Sequence, residues 1–406
     1  MPRPLGTLRV MLSTRVLLDL EEADRIFTLS YNKHFTKTRD KEAAREKAVE
    51  AYTAYVCPDE KDPAYDPQLC GRRFRKGPMF RFAEALARLN EATGKPLVEI
   101  IISAKDEADS GGVIFRNIDL LASDTLRKAG AQRLTTSGED LSEELHKVYK
   151  TDLLFSRNDR DVQTATDLGI AASTIHFSPD GFKYDKPGEV SQVDICFDGD
   201  AVAFGSSSEV RYRTDGLEAY EDHEFNDFLE DIESGPFTDV LAKISQINAE
   251  FPRKKAPFRL SLLTARGGSA HSRALAIMKQ FGIVINGNTM GRAGADKGEV
   301  LEQLKPDLYI DDQVGHLTYG ARFCPVGLVH YPTSSPMKAY LDKTNGPDEI
   351  RKLREAEGTP VSLAFDDAAD QQPETIKSRS EAVPKPKKKP NPKPKGKTRT
   401  ARKEPA

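Results

Sequence analysis

Asp198 and Asp200 stand one glycine apart near the end of the run Val193 to Phe204, VDICFDGDAVAF. An aspartate can attack a phosphoryl group and carry it as a covalent phospho-enzyme. At this spacing the first carboxylate attacks and binds a metal. A tight turn at Gly199 swings the second over the leaving oxygen, where it handles the proton. Alone, the pattern equally fits an ordinary polar turn after a strand. Three further elements follow it in order. Thr264 ends the run FRLSLLT, where its hydroxyl and the backbone N–H groups of Ala265 and Arg266 can hold phosphate oxygens at a helix start. Lys297 opens a helical pattern, and its ammonium can offset charge on phosphate and nucleophile. Asp311 and Asp312 end DLYIDD and complete an oxygen-ligand set. Mg²⁺ takes such a set, one or two carboxylates with substrate phosphate and water. Each element has an everyday alternative: a strand-end cap, a solvated lysine, a turn. Their order together points to phosphoryl chemistry.

The elements that must position these residues are legible too. LRVMLS, LVEIII, DLLFS, STIHF, VDICF, FRLSLLT, IVING and DLYID read as short apolar strands. FRFAEALARLNEAT and FTDVLAKISQINAEF read as helices between them. Strand–helix alternation predicts an α/β fold with parallel sheet. Ligands of such sheets sit outside the carboxyl ends of the strands, where all four elements fall.

The two halves of the chain resemble each other. GPMFRFAEALARLNEATGKPLVEIIISAKDE from Gly77 lines up with GPFTDVLAKISQINAEFPRKKAPFRLSLLTARGG from Gly235; both start Gly-Pro and reach an Asn, Asn90 or Asn248, 13 residues later. SEELHKVYKTDLLFSRND pairs with KGEVLEQLKPDLYIDDQV, and RVMLSTRVLL with DICFDGDAVA. In this pairing Asp198 faces Ser13, Asp200 faces Arg15, Lys297 faces Ser142, Asp311 faces Ser156, and Thr264 is matched by Ser103. The first copy therefore loses its carboxylates and lysine, which predicts one silent half and one active half.

Composition bounds the rest. The chain has 406 residues, 38% of them hydrophobic, with room for two or three domains. No apolar run approaches the roughly 20 residues a bilayer span requires, so no membrane insertion is expected. The N-terminal stretch reads as a first strand rather than a signal peptide. Cys57, Cys70, Cys196 and Cys324 show no zinc-like spacing and read as reduced thiols of a cytoplasmic protein. From Lys377 to Ala406 there are 12 Lys/Arg against 2 Asp/Glu; the body before this tail is acidic, a poor partner for nucleic acid. Its Pro/Lys alternation cannot bury a core and predicts disorder. A solubility tail is the simple reading; contact with nucleic acid, a membrane surface or an acidic partner is the other.

The order DxD, Ser/Thr, Lys, acidic pair resembles the haloacid dehalogenase superfamily of Mg²⁺-dependent phosphatases. LSTRVLLDLEEADRIF, VDICFDGDAVAF, LLTARGGSAHSRAL, DKGEVLEQLKPDLYIDDQ and GIAASTIHFSP resemble the cytosolic 5′-nucleotidase type 1 family, from about Leu8 to Tyr331. The resemblance implies Mg²⁺-dependent hydrolysis of nucleoside 5′-monophosphates, with AMP a favoured substrate, to nucleoside and phosphate. It implies that Asp198 is nucleophile and metal ligand. Asp200 becomes general acid and base, binding metal through its backbone carbonyl. Thr264 binds the phosphoryl group, Lys297 stabilises charge, and Asp311 completes the metal site with Asp312 close by. The fold expected is two related, Rossmann-type parallel-sheet domains: residues 1–185 degenerate, 186–345 catalytic with a cap insertion at about 205–234, then 346–406 as helical extension and disordered tail. Tyr212, Tyr220, Phe225 and Phe228 in the cap either stack on a base or pack the cap. Arg266, Arg273 and Arg292 either touch phosphate or ribose or form surface salt bridges, and His271 and His316 lie near motifs. Ser13, Thr14 and Ser103 keep hydroxyls in the silent copy. That copy is either a nucleotide effector site, as the resemblance suggests, or a half kept for packing. A phosphatase for sugar or cofactor phosphates and a catalytically weak nucleotide sensor remain alternatives. The sequence leaves open base and sugar preference and whether the chain forms a homo-oligomer.

Overall fold

A computed structural model describes residues 6–343, apart from 124, 178–191, 208–209, 211–232, 267 and 292–296. The expected cap aromatics, Arg292 and the 346–406 extension and tail lie outside the described residues. Within them a ten-stranded, mostly parallel sheet carries the fold. Its first half uses β1 (Leu8–Ser13), β4 (Val98–Ala104), β5 (Gln132–Thr135), β6 (Leu153–Ser156) and β7 (Ala171–His176). Its second half uses β8 (Val193–Phe197), β9 (Phe258–Thr264), β10 (Thr289–Gly291), β11 (Leu308–Asp311) and β12 (Val326–Val329). A separate small pair, β2 (Tyr65–Asp66) and β3 (Gly71–Arg72), lies apart from the sheet.

The strand order is β10-β9-β8-β11-β12-β7-β6-β1-β4-β5. In each half the third, second, first, fourth and fifth strands follow one another outward to inward. All neighbours run parallel except β12 and β7, which pair antiparallel at the seam. The carboxyl ends of the two halves therefore open on opposite edges of the sheet.

Burial on both faces explains why these strands are nearly continuous apolar runs. Alternate residues Val10, Leu12, Ile100, Ile102, Ile195, Phe197, Leu260 and Leu262 join one core that spans both halves. The residues between them face two separate cores: Met11, Ile101 and Leu154 in the first half, and Cys196, Leu263 and Tyr309 in the second. This is the period-two alternation of a strand. Helix Phe80–Thr93 ends at Gly94, whose φ of 64° is left-handed. It and helix Thr238–Ala249 sit where the sequence places them.

Small polar interactions recur between the halves. The Asn90 side chain accepts from the N–H of Val98 and donates to its carbonyl, and Asn248 makes the same two bonds to Phe258. Asp152 accepts from the N–H of Arg9 and returns its own N–H to that carbonyl; Asp307 does the same with Asp194. Isolated antiparallel bridges join Leu18 to Lys76 and Phe204 to Ser234. Each bridge closes the base of an insertion after the first strand. In the first half the insertion holds helices Glu21–Thr38 and Lys41–Val56; in the second it is the stretch mostly outside the described residues.

Two expectations need correction. IVING, Ile283–Gly287, forms no strand. Asn286 spends its side chain on the Leu260 N–H and the Phe258 carbonyl, and a Cβ at Gly287 would lie 2.3 Å from Ser261 Oγ. The segment runs beside β9, and the ladder forms only at β10. The pairing of Thr264 with Ser103 also shifts by one. Leu8 faces Val98 as Val193 faces Phe258, so Thr264 corresponds to Ala104 and Ser103 to Leu263. The loop before β9 is two residues longer than the one before β4, which conceals the shift in the sequence.

Candidate active site

Three strand ends and one helix start of the second half lie at one edge of the sheet. Asp198 follows β8 directly, and its N–H donates to the Ile310 carbonyl of β11 at 2.9 Å. The turn beyond it folds back so that the N–H groups of Ala203 and Phe204 both donate to the Gly199 carbonyl. Gly199 has no room for a side chain, since a Cβ there would lie 2.4 Å from the Phe204 ring. That close approach is the reason for glycine between the two carboxylates.

Lys297 is the N-cap residue of helix Gly298–Leu304 and is fully buried. Its Nζ lies 2.9 Å from Asp198 Oδ2 and 2.8 Å from Asp311 Oδ2. Asp311, the last residue of β11, also accepts from the Gln313 N–H at 2.8 Å, from the Tyr309 hydroxyl, and meets His316 Nδ1 at 3.1 Å. Asp312 accepts from the Tyr331 hydroxyl. Thr264, at the end of β9, accepts from the Arg266 N–H at 3.1 Å and is fully buried. Ala265 lies between these two residues.

The electrostatics follow from two carboxylates facing one ammonium. Burial pushes Asp198 up to about 7; Lys297 pulls it back and Asp311 adds to the rise. For Asp311 burial acts upward as well, but Lys297 and His316 outweigh it and hold the carboxyl well below its usual range. Burial opposes the charge on Lys297, yet Asp198 and Asp311 hold the ammonium above its ordinary value. Two carboxylates against one ammonium leave one negative charge unbalanced, and Asp198 is the carboxyl on which burial and Asp311 disfavour it. Burial also pushes the neighbouring Cys196 thiol up to about 12, so it is an inert core group.

Asp198, Asp311 and His316 bring ligand atoms within 4.8 Å of one another. The donor set and the excess negative charge fit a cation. Carboxylate oxygens suit a hard divalent ion better than imidazole does, so His316 fits best as the hydrogen-bond partner that orients Asp311. The order of motifs gave no role to His316; its place one helical turn after the acidic pair was the available signal. Both oxygens of the Asp200 carboxylate accept from the Arg266 guanidinium. Arg266 in turn lies over the Phe204 ring at 4.8 Å.

Other candidates lie outside the Asp198–Lys297–Asp311 cluster. Arg273 is buried in helix Gly268–Gln280, and His271 packs on Gly291. At the matching edge of the first half, Ser13, Ser103, Ser156, Lys105, Arg157 and Asp161 line a cavity of about 20 Å³, room for about one water. Lys105 is engaged there by Asp140 and by Asp161 at 3.3 Å, and Arg15 by Asp24 at 3.0 Å.

The model of the 5′-nucleotidase family matches residues 1–336 of the chain. The chain belongs to the 5′-nucleotidase family. Family membership thus covers both halves of the sheet. Human cytosolic 5′-nucleotidase 1B is 28% identical over 255 residues, a match of 59% of this chain and 40% of the relative. The chain therefore spans about 40% of the length of that curated relative. Among solved structures, one described as a "putative UDP-N-acetylglucosamine 2-epimerase" from Listeria monocytogenes overlaps 89% of this chain and 93% of its own. That overlap has a TM-score of 0.20 and 11% identity. No helix among the described residues is long and apolar enough to cross a membrane.

Proposed function

We propose that this family member is a Mg²⁺-dependent 5′-nucleotidase that hydrolyses AMP-like nucleoside 5′-monophosphates through an aspartyl-phosphate on Asp198. The observation that carries the reading is the buried Asp198–Lys297–Asp311 cluster at the carboxyl edge of the second half. The relative named a cytosolic 5′-nucleotidase supports the substrate class and a cytoplasmic location. The repeated strand order supports reading the chain as two related haloacid dehalogenase-like halves, the first degenerate at every catalytic position.

Asp198, Asp311 and the backbone carbonyl of Asp200 would hold Mg²⁺, with Asp312 beside them. Bound there, the ion supplies positive charge to the phosphoryl oxygens and offsets the excess negative charge of the site. The protein residues divide the remaining work. An Asp198 carboxylate oxygen forms the new bond to phosphorus while the bond from phosphorus to the ribose 5′-oxygen breaks. Asp200 gives that oxygen its proton, and the nucleoside leaves. Asp200 then takes a proton from water, whose oxygen attacks the phosphorus and frees Asp198. Lys297 and Thr264, with the N–H groups after it, steady the transferred group through a loose transition state.

A groove of about 960 Å³ begins at Ala201 and Gly205, beside the turn that carries Asp200, and runs along Tyr331, Pro332 and Pro336. Tyr331 also bonds Asp312, which ties the groove to the metal-side carboxylates. Asp198, Asp200, Thr264, Lys297 and Asp311 do not line the groove, so it supports no more than a place for the nucleoside end of the substrate. The first-half cavity is small, and Lys105 and Arg15 on its wall already pair with carboxylates, which favours packing over an effector role there.

One assay decides between this reading and a sugar- or cofactor-phosphate phosphatase. Phosphate release from a panel of nucleoside monophosphates and sugar phosphates is measured with Mg²⁺, beside Asp198→Asn. Release from AMP that Asp198→Asn abolishes, with Michaelis constant no guide to the loss, is the expected result. Release from sugar phosphates alone overturns it, and no release from any ester favours a nucleotide-sensing protein.

A further inference from the structure

Asp200 and Arg266 form a pair that the phosphoryl-transfer cluster does not explain. Arg266 Nε donates to Asp200 Oδ2 at 2.8 Å, and the second nitrogen of the fork donates to Oδ1. The Arg266 side chain is 1% exposed and that of Asp200 14%. The pair ties the turn after β8 to the turn after β9.

The first half holds the same two positions. The β1/β4 and β8/β9 registers carry Asp200 onto Arg15 and Arg266 onto Asp106. There the charges are exchanged and the contact is looser: Arg15 Nη1 lies 3.9 Å from Asp106 Oδ2, an oxygen without a hydrogen-bond partner, with the Arg15 side chain 11% exposed and Asp106 buried. Asp24 also holds Arg15, and the Tyr52 hydroxyl donates to Asp106 at 2.6 Å. A solvent-exposed pair would have little consequence. Removing one partner of a buried pair leaves an uncompensated charge, so retention with reversed polarity marks a structural constraint.

We propose that this pair is a clasp joining the first two strand-end turns of each half, and that in the second half it makes Arg266 the positioning residue of Asp200. The second part rests on the nucleotidase reading; the first does not. The half that lacks the nucleophile keeps opposite charges at these two positions, so their pairing does not depend on turnover. Only one polarity puts a carboxylate where a leaving oxygen needs a proton. A guanidinium fork fixes both carboxylate oxygens in one plane, which an ammonium cannot do. It thereby sets which oxygen faces the substrate.

The test has two arms on the full chain. In the first, thermal melting compares Asp200→Arg, Arg266→Asp and the double exchange. Each single exchange lowers the melting temperature, and the double regains most of the loss, as the first half does naturally. A double exchange that loses the sum of the two singles overturns the clasp. In the second arm, Arg266→Gln and Arg266→Lys are assayed on AMP and on p-nitrophenyl phosphate, whose phenolate leaves without a proton. Loss of a positioned proton donor slows the first-turnover release of nucleoside from AMP by about 100-fold, while the first-turnover burst of nitrophenolate changes little; steady turnover of both esters falls, because the same carboxylate activates water. Lysine should recover only part of the AMP rate. Equal loss of the first-turnover rate on both esters, with wild type active, overturns the positioning role alone. A wild type silent on both overturns the nucleotidase reading, and the positioning role with it.

Discussion

Asp198 and Asp311 share one buried ammonium, with Lys297 Nζ 2.9 Å from the first and 2.8 Å from the second. The three side chains come from a strand end, a helix start and another strand end. The sheet order puts β8 beside β11, and helix Gly298–Leu304 immediately precedes β11. The second half can therefore hold two carboxylates together in its interior without expelling either.

Lys297→Met should destabilise the protein by about 3–5 kcal/mol, because it leaves two buried carboxylates with no cation between them. Thermal melting measures the loss. Mg²⁺ should raise the melting temperature of this variant more than that of wild type, since it replaces the missing charge. An identical Mg²⁺ response in both proteins would place the ion elsewhere.

Gly298→Ala should perturb the start of the lysine's helix. A Cβ at this position would lie 1.6 Å from Tyr319 Cδ1. Either Tyr319 moves or the helix start shifts, at a cost of about 1–3 kcal/mol. Phosphate release should fall as well, because Lys297 is the adjacent residue. Adding Tyr319→Ala opens the space and should restore part of both quantities.

His146 predicts a pH effect away from the site. It is 1% exposed, neither ring nitrogen has a hydrogen-bond partner, and burial lowers its pKa. The unfolded chain takes up a proton near pH 6.5, roughly, where the folded chain does not. Stability from this residue is thus fully present above that pH and lost as pH falls toward the depressed folded value. The slope reaches at most about 1.4 kcal/mol per pH unit. Melting temperature against pH for His146→Leu should be flatter between pH 7 and 5 than for wild type. Parallel curves would remove His146 from the account.

Asn90→Ala and Asn248→Ala remove equivalent pairs of hydrogen bonds at the starts of β4 and β9. Each should cost about 1–3 kcal/mol, because backbone groups lose their partner. Chemical denaturation should give similar losses for the two. Only Asn248→Ala should also slow phosphate release per folded molecule, because only β9 leads to Thr264.

Much of this protein was legible as a string of residues. The apolar runs gave all but one of the strands proposed, and IVING misled because Asn286 captures the backbone groups that a ladder would use. Strands β5, β10 and β12 escaped notice: Gln132–Thr135 is polar, Thr289–Gly291 is short, and Val326–Val329 contains a glycine. Asp198, Lys297 and Asp311 were readable from order and residue type. His316 was not, because an imidazole that orients a carboxylate has no spacing rule of its own. The Arg266 fork on Asp200 was equally hidden, since ion-pair partners far apart in sequence leave no local pattern.

By itself the sequence determined which residue types could do chemistry and that the fold alternates strands and helices, and it pointed to two related units. These depend on side-chain type and on periodicity, which are local properties. Only the tertiary structure decided that the copies share one sheet with an antiparallel seam, and that Thr264 corresponds to Ala104 rather than Ser103. It also decided that Lys297 balances two carboxylates and that the Asp200–Arg266 pair reappears reversed as Arg15–Asp106. Register and charge pairing between distant strands are set by how the sheet packs, and no stretch of sequence carries that information alone.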